Sequence, residues 1–253
     1  MRILVCVKQV PDSLQVTLDE NHSMVRSSAA RVMNPADECA LGCALGMKAA
    51  FGAEVTALTM GPALAENMLR DTLSRGADRA VLLTDAAFAG ADTLATARTL
   101  HAAVRLEGGF DLILCGRRAS DGETGQVGPA LASLLAIPAI TNATAISLIQ
   151  GDIAWEITQL REDREVRWQA RGPVLVTLCE WSYPLPLPSI QGLRAARNSP
   201  VLSYDAKALG LDPSQCGLAG SPTRVIRVVA QPSGLRNCTF VTPAKLAETG
   251  VLR

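Results

Sequence analysis

The stretch Gly116–Pro138, GRRASDGETGQVGPALASLLAIP, decides how the rest of the chain is read. It follows the apolar run Leu112-Ile113-Leu114-Cys115, bounded by Asp111 and Gly116, which predicts a buried parallel strand. A polar segment comes next, and then the apolar, helix-like run Leu131 to Ile137. Pro129 has no N–H to donate, so it belongs in the first turn of that helix. Strand, polar loop and helix N-terminus in that order make a seat for an anion, because first-turn amides lack intrahelical partners. Gly122, Gly125 and Gly128 are small enough to let a ligand approach the backbone, Thr124 and Gln126 add hydrogen-bonding side chains, and Asp121 could accept from a hydroxyl or amine. The glycine spacing is GxxGxxG with no Lys-Ser/Thr after it, so this is neither a Walker P-loop nor a GxGxxG fingerprint. Polar, glycine-bearing loops also precede helices in α/β proteins that bind nothing there, and the remaining chain has to decide.

Working outward, apolar and polar segments alternate over the first ~135 residues at the lengths of strands and helices. Arg2 to Val7 reads as a central strand covered on both faces. The turn Lys8–Asp12 lies at its carboxyl end, where open α/β sheets bind ligands. Residues 14–32 read as a small hairpin or excursion. Asn34-Pro35-Ala36-Asp37-Glu38 starts a helix, with Asn34 suited to the N-cap, Pro35 to N1, and two acids at the positive end of the dipole. Strands follow at Glu54–Met60, Ala80–Thr84 and Asp111–Cys115, with helices at about 63–75 and 91–106. The fold class expected is α/β, a parallel twisted sheet with helices on both faces.

Past Pro138 the rhythm changes. Ile140–Ile149, Asp152–Leu160, Arg164–Arg171 and Val174–Cys179 read as strands with turns at Gln150-Gly151-Asp152 and Asp163-Arg164, predicting an antiparallel extension of the sheet. Trp181 to Pro188 carries three prolines at alternate positions, so it is a stiff loop; Leu and Tyr exposed on it suggest a docking element, and a loop wrapped on its own domain is the alternative. The division expected is a nucleotide-binding domain over 1–197, with a docking loop at 181–197, and a C-terminal arm over 198–253. That arm is rich in Pro, Gly and Ser with one basic strand, Thr223 to Val229, and it has no core of its own, so it should lie along a partner chain.

Composition narrows the function classes. Apolar residues are 48% and charged residues 19%, enough for a sizeable core. Lys+Arg and Asp+Glu are balanced at 24 each and aromatics are 4%, which argues against nucleic acid and against an anionic membrane surface. The seven cysteines form no CxxC pair, and Cys39 and Cys43, four apart on a helix, fit core packing better than a metal. Reduced thiols, no signal-peptide pattern and no run of membrane-spanning length point to the cytoplasm.

The order of these motifs resembles the electron transfer flavoprotein beta subunit family: VCVKQVPDS at the start, NPADECAL at the first long helix, ALTMGP at the end of the second strand, SRGADRAVLL, FDLILCGRRASDGETGQVGP with LASLLAIPAIT, and LPSIQGLRAAR. The resemblance spans residues 3 to about 197. It implies an adenine-nucleotide α-hydrolase-like fold and a larger alpha subunit that carries redox FAD in its C-terminal domain, supported by the beta chain as by a shallow bowl. It implies a beta site for AMP, or for a second FAD in electron-bifurcating members. Carried over by motif, that site comprises Cys6, Asn34, Pro35, Ala36, Asp37, Met60, Asp121, Gly122, Glu123, Thr124, Gly125, Gln126 and Val127. Leu187 falls where members carry an anchor leucine that docks a flavin-dependent dehydrogenase. The loop around it departs from the family's N-x-P-R start and lysine-rich end, which leaves the identity of that dehydrogenase open. The compact DGETGQVGP resembles the bifurcating pattern, and AMP and FAD both remain open. The resemblance implies an electron-carrier subunit without catalytic residues, passing electrons to a quinone or ferredoxin-linked acceptor. The alternatives are a stand-alone adenine-nucleotide-binding or hydrolysing protein, against which Lys8–Asp12 stands where a phosphate loop would be needed, and a stress-type homodimer.

Overall fold

The computed structural model describes residues 1–12, 31–149 and 154–226. The chain opens with β1 (Arg2–Cys6), then β2 (Gln9–Pro11) and β3 (Arg31–Met33), which pair antiparallel as a small ribbon. Of the excursion expected at 14–32, Arg31 and Val32 belong to β3, and residues 13–30 lie outside the described residues. Helix α1 (Pro35–Phe51) starts with proline at N1 and ends where Gly52 turns left-handed and donates its N–H to Lys48 O. There follow β4 (Glu54–Met60), α2 (Glu66–Arg75) behind a 3-10 turn at Ala63–Ala65, and β5 (Arg79–Leu83). Helix α3 (Thr93–Glu107) is capped by Asp92, whose carboxylate accepts from Leu94 N and Ala95 N at 3.0 Å each. Then come β6 (Leu112–Gly116) and α4 (Val127–Leu135), with Pro129 in the first turn as the sequence requires.

The remaining elements are β7 (Ala139–Ile149), β8 (Ala154–Arg161), β9 (Arg164–Arg171), β10 (Val174–Leu178), α5 (Ile190–Asn198) and β11 (Leu202–Tyr204). Among the described residues the main sheet runs β11-β5-β4-β1-β6-β10-β7-β8-β9. Pairing is parallel from β11 through β10 to β7 and antiparallel only at β7–β8 and β8–β9. The antiparallel extension expected to include Val174–Cys179 thus stops one strand short. β10 returns past the hairpin and inserts beside β6, because all five of its residues are buried and suit a strand covered on both faces. The expected turn at Gln150–Asp152 lies outside the described residues.

Alternation along the strands separates two apolar layers. Ile3, Val5, Val55, Ala57, Leu112 and Leu114 pack against α1 and α2, whereas Leu4, Leu58, Ile113 and Leu175 pack against α3 and α4. The sheet is therefore covered by helices on both faces, as the sequence predicts.

The C-terminal region differs from the expected arm at its start. β11 adds a parallel edge strand to β5, and the chain then crosses the start of α3, where Thr223 donates from N and Oγ1 to Asp92 Oδ2 at 3.0 and 2.7 Å. Thr223 to Ile226 form no strand, since Thr223 spends its hydrogen bonds on that carboxylate; residues 227–253 lie outside the described residues.

Candidate nucleotide site

From β1 the chain steps outward to β4 and β5 and is then carried by α3 to β6 on the other side of β1. The crevice over the carboxyl ends of β1 and β6 is thus the topological switch point, the place where open α/β sheets bind ligands. Cys6 is the last residue of β1, in register with Leu58 of β4 and Cys115 of β6. It is half-buried, and its thiol is hydrogen-bonded to that of Cys115, which together with burial pushes the Cys115 thiol well up.

The start of α1 is locked over this crevice by two side chains. Asn34 occupies the N-cap position yet makes no side-chain cap hydrogen bond. Instead its Nδ2 donates to Arg118 O at 2.9 Å and its Oδ1 accepts from Ser120 N at 3.0 Å, stapling α1 to the loop before α4. The sequence predicts Asn34 as a cap; tertiary contacts take its amide instead, and at the helix start only its backbone carbonyl serves, accepting from Asp37 N at 2.9 Å and Glu38 N at 3.0 Å. Asp37 is buried and accepts from Lys8 N at 2.7 Å and from Gly116 N at 2.9 Å. Its carboxyl pKa is pushed up to about 7 by burial, against the lowering pull of those hydrogen bonds and of the Lys8 charge. Ala36 is buried with its Cβ against Gly116, where any side chain would collide.

The loop itself combines exposed and held residues. Asp121 pairs with Lys8 Nζ at 2.6 Å, tying the loop to the end of β1. Gly122, Glu123 and Thr124 are exposed, and Glu123 and Gly125 turn left-handed at φ 51° and 63°. A Cβ at Gly125 would also sit 3.2 Å from Arg117 O. Gln126 lies at the cap position of α4 and its Oε1 accepts from Thr93 Oγ1 at 3.2 Å, while Val127 opens α4 and packs partly on the apolar layer beneath. Gly128 has a different task from the one expected. A Cβ there would stand 2.7 Å from Thr177 Cγ2, so this glycine allows α4 to lie close on β10 and does not face a ligand. Met60 ends β4 two residues past Leu58 and packs partly on the α3–α4 side of the sheet.

A cleft of about 480 Å3 opens beside the α1 start, lined by Asn34, Pro35, Ala36, Ser120 and Glu123 from the expected set and its loop. Its far wall was not foreseen. Arg117, Arg118, Leu160, Cys179, Glu180 and Trp181 complete it, with Glu180 pairing to Arg117 at 2.6 Å and to Arg118 at 3.2 Å. Burial works against ionisation of Glu180, but the hydrogen bonds and the two guanidinium charges outweigh it and hold its carboxyl below the usual range. Trp181 is left-handed at φ 69°, unusual for a bulky residue, and 90% exposed. Arg117 and Arg118 stood inside the deciding stretch, but only the return of β10 beside β6 reveals Glu180 as their partner.

Leu187 lies on another surface, between β10 and α5. Alternate residues of its loop divide: Tyr183 and Leu185 pack partly on the core, with the Tyr183 hydroxyl donating to Ile146 O and accepting from Ile146 N, while Leu187 is 87% exposed. Tyr183 and Leu185 thus follow the second reading, a loop wrapped on its own domain, while Leu187 stays outside that packing. The loop is held down where Pro184 abuts Gly42 and where Arg75 donates to Pro186 O at 2.8 Å. Ile190 and Leu193 extend the apolar surface onto α5.

Among the described residues no group of three or more His, Cys, Asp or Glu is placed to hold a metal, and no helix is long and apolar enough to cross a membrane. The family model of the electron transfer flavoprotein domain matches residues 22–209. The chain is 40% identical over 240 residues to the electron transfer flavoprotein subunit beta of Megasphaera elsdenii, covering 92% of this chain and 88% of that protein. It is 40% identical over 255 residues to Protein FixA of Bradyrhizobium diazoefficiens, covering 97% and 88%. It is also 40% identical over 235 residues to the caffeyl-CoA reductase-Etf complex subunit CarD of Acetobacterium woodii, covering 92% and 89%.

Proposed function

The chain belongs to the electron transfer flavoprotein family, and from that premise we propose that it is the beta subunit of a heterodimer that shuttles electrons from a flavin-dependent dehydrogenase to a quinone or ferredoxin-linked acceptor. In this reading the switch-point crevice holds AMP or a second FAD, and the alpha subunit carries the redox FAD. The observation that carries it is the convergence of Cys6, Asn34, Asp37 and Asp121, distant in sequence, on the carboxyl ends of β1 and β6.

The residues fit a nucleotide on their chemistry. Gly122 has open space around its α-carbon, and the left-handed Gly125 leaves the loop backbone free of side chains where α4 begins. The first-turn amides of α4 would take phosphate oxygens, and backbone at Cys6, Pro35–Ala36 and Met60 would flank the base. Thr124, Gln126 and Glu123 would reach the sugar or phosphate, with Val127 closing the apolar side. A flavin supplies one- and two-electron chemistry when bound; the tasks of this chain are to hold, orient and cover it. In this reading the chain is an electron-carrier subunit of the cytoplasm, and its site residues hold the nucleotide without acting as nucleophile, acid or base.

Leu187 is the docking residue for the dehydrogenase, presented by a loop that is itself packed on α1 and α2. Of residues 198–253, those up to Thr223 are held on the domain by β11 and Asp92, and the part beyond is assigned to the arm that packs on the alpha subunit. The name of the Acetobacterium woodii relative places that protein in a reductase-Etf complex, which supports a similar assembly here. The test is co-expression with the alpha subunit, denaturation of the purified complex, and identification of the released nucleotides. One FAD with one AMP supports a simple carrier, two FAD support a bifurcating one, and no complex with no nucleotide overturns the reading.

A further inference from the structure

Asp37 is the one carboxylate of the crevice whose surroundings leave no room for a ligand. It is 6% exposed, both of its oxygens already accept a backbone N–H, and the close contact of Ala36 with Gly116 seals it from above. The two amides belong to Lys8, just past β1, and to Gly116, the last residue of β6, so one carboxyl group sets the spacing of the two loops that frame the switch point. We propose that Asp37 is a positioning residue of this crevice and not a ligand contact, and that binding of an anionic nucleotide there is coupled to uptake of a proton by its carboxyl group. The inference rests on the nucleotide reading and adds to it a regulation by pH.

The groups that face Asp37 set the sign. Lys8 favours its charged form, but the Lys8 ammonium is shared with Asp121 at 2.6 Å. Cys115 beneath it stays a thiol, raised by its hydrogen bond to Cys6 and by burial, and Asn34 stands within hydrogen-bonding reach at the α1 start. A phosphate brought to the crevice adds a like charge across a medium of low dielectric. That charge favours the neutral acid, which can still accept from both amides. The free site titrates at about 7, so affinity should be level below that pH and fall as pH rises above it.

The test is isothermal titration calorimetry of the nucleotide-stripped heterodimer with AMP between pH 7.5 and 8.5, where the secondary phosphate of AMP is already a dianion (its pKa is about 6). Comparing two buffers of different ionisation enthalpy counts the protons taken up. The expected result is roughly half a proton to one proton per AMP and a matching affinity loss of about three- to tenfold per pH unit. The Asp37→Asn variant should bind more weakly and show neither effect. Wild-type binding with no proton uptake and a level pH profile overturns the coupling, whether or not the variant folds, and so does an Asp37→Asn variant that keeps both effects. A heterodimer that binds no AMP at any pH and takes up no second FAD overturns the nucleotide reading, and this inference with it.

Discussion

Asn34 shows how a single side chain can join two parts of a site that are 84 residues apart in sequence. It is buried, and its amide satisfies Arg118 O and Ser120 N. Asn34→Ala should cost about 1–3 kcal/mol in urea unfolding, because both loop groups lose their partner, and it should lower the nucleotide content of the purified complex. Gly125→Val places a β-branched residue at φ 63° beside Arg117 O. Roughly 1–2 kcal/mol of strain is expected there, with the nucleotide lost; full occupancy in that variant would remove the loop from the site. For Asp37 the folded-state value of about 7 lies above the ordinary 3.8. Its contribution to stability is therefore fully present below about pH 4 and declines as pH rises to about 7, by no more than about 4 kcal/mol. Urea midpoints of wild type and Asp37→Asn should converge as pH rises over that window; a gap that widens would refute the sign.

At the scale of elements, the docking loop and α5 behave as a unit seated on α1 and α2. Gly192 lies so close to Ser74 O that no side chain fits, and Arg70 caps the end of α5 by donating to Ala196 O at 2.9 Å. Leu187 is outside this packing. Leu187→Ala should leave the thermal midpoint nearly unchanged, as exposed substitutions usually do within about 0.5 kcal/mol, while slowing reduction by the partner dehydrogenase. Unchanged reduction kinetics would move the docking site elsewhere. β10 makes the opposite case. Leu175 is fully buried between β6 and β7, packed toward α3 and α4. Leu175→Ala should cost about 2–5 kcal/mol, read from the denaturant midpoint.

Over the whole molecule the central strands, the α1 start and the deciding loop meet at one end of the sheet, and the surface around Leu187 proposed for docking lies elsewhere. The C-terminal region is bound to the domain as far as Thr223 through β11 and Asp92. Truncation after Ile226 should therefore leave the domain folded, with little change in its thermal transition, but weaken its complex with the alpha subunit in analytical ultracentrifugation. A truncated chain that still forms the complex at wild-type concentrations would take the arm out of the interface.

Sequence alone determined the local elements, because their signals are local. Pro35 and Pro129 can only open helices, Gly52 and Gly76 end them, and unbroken apolar runs such as Leu112–Cys115 need cover on both faces. The deciding loop was legible for the same reason, as a polar, glycine-bearing segment between a strand and a helix. Tertiary structure decided what depends on partners far along the chain. It diverted Asn34 from its cap to the loop, buried Asp37 under two amides, assigned Gly128 to packing, brought Glu180 to Arg117, and placed β10 inside the parallel sheet. Each of these follows from strand order, and strand order is set by which apolar faces can be buried together, a property of the folded chain and not of any one segment.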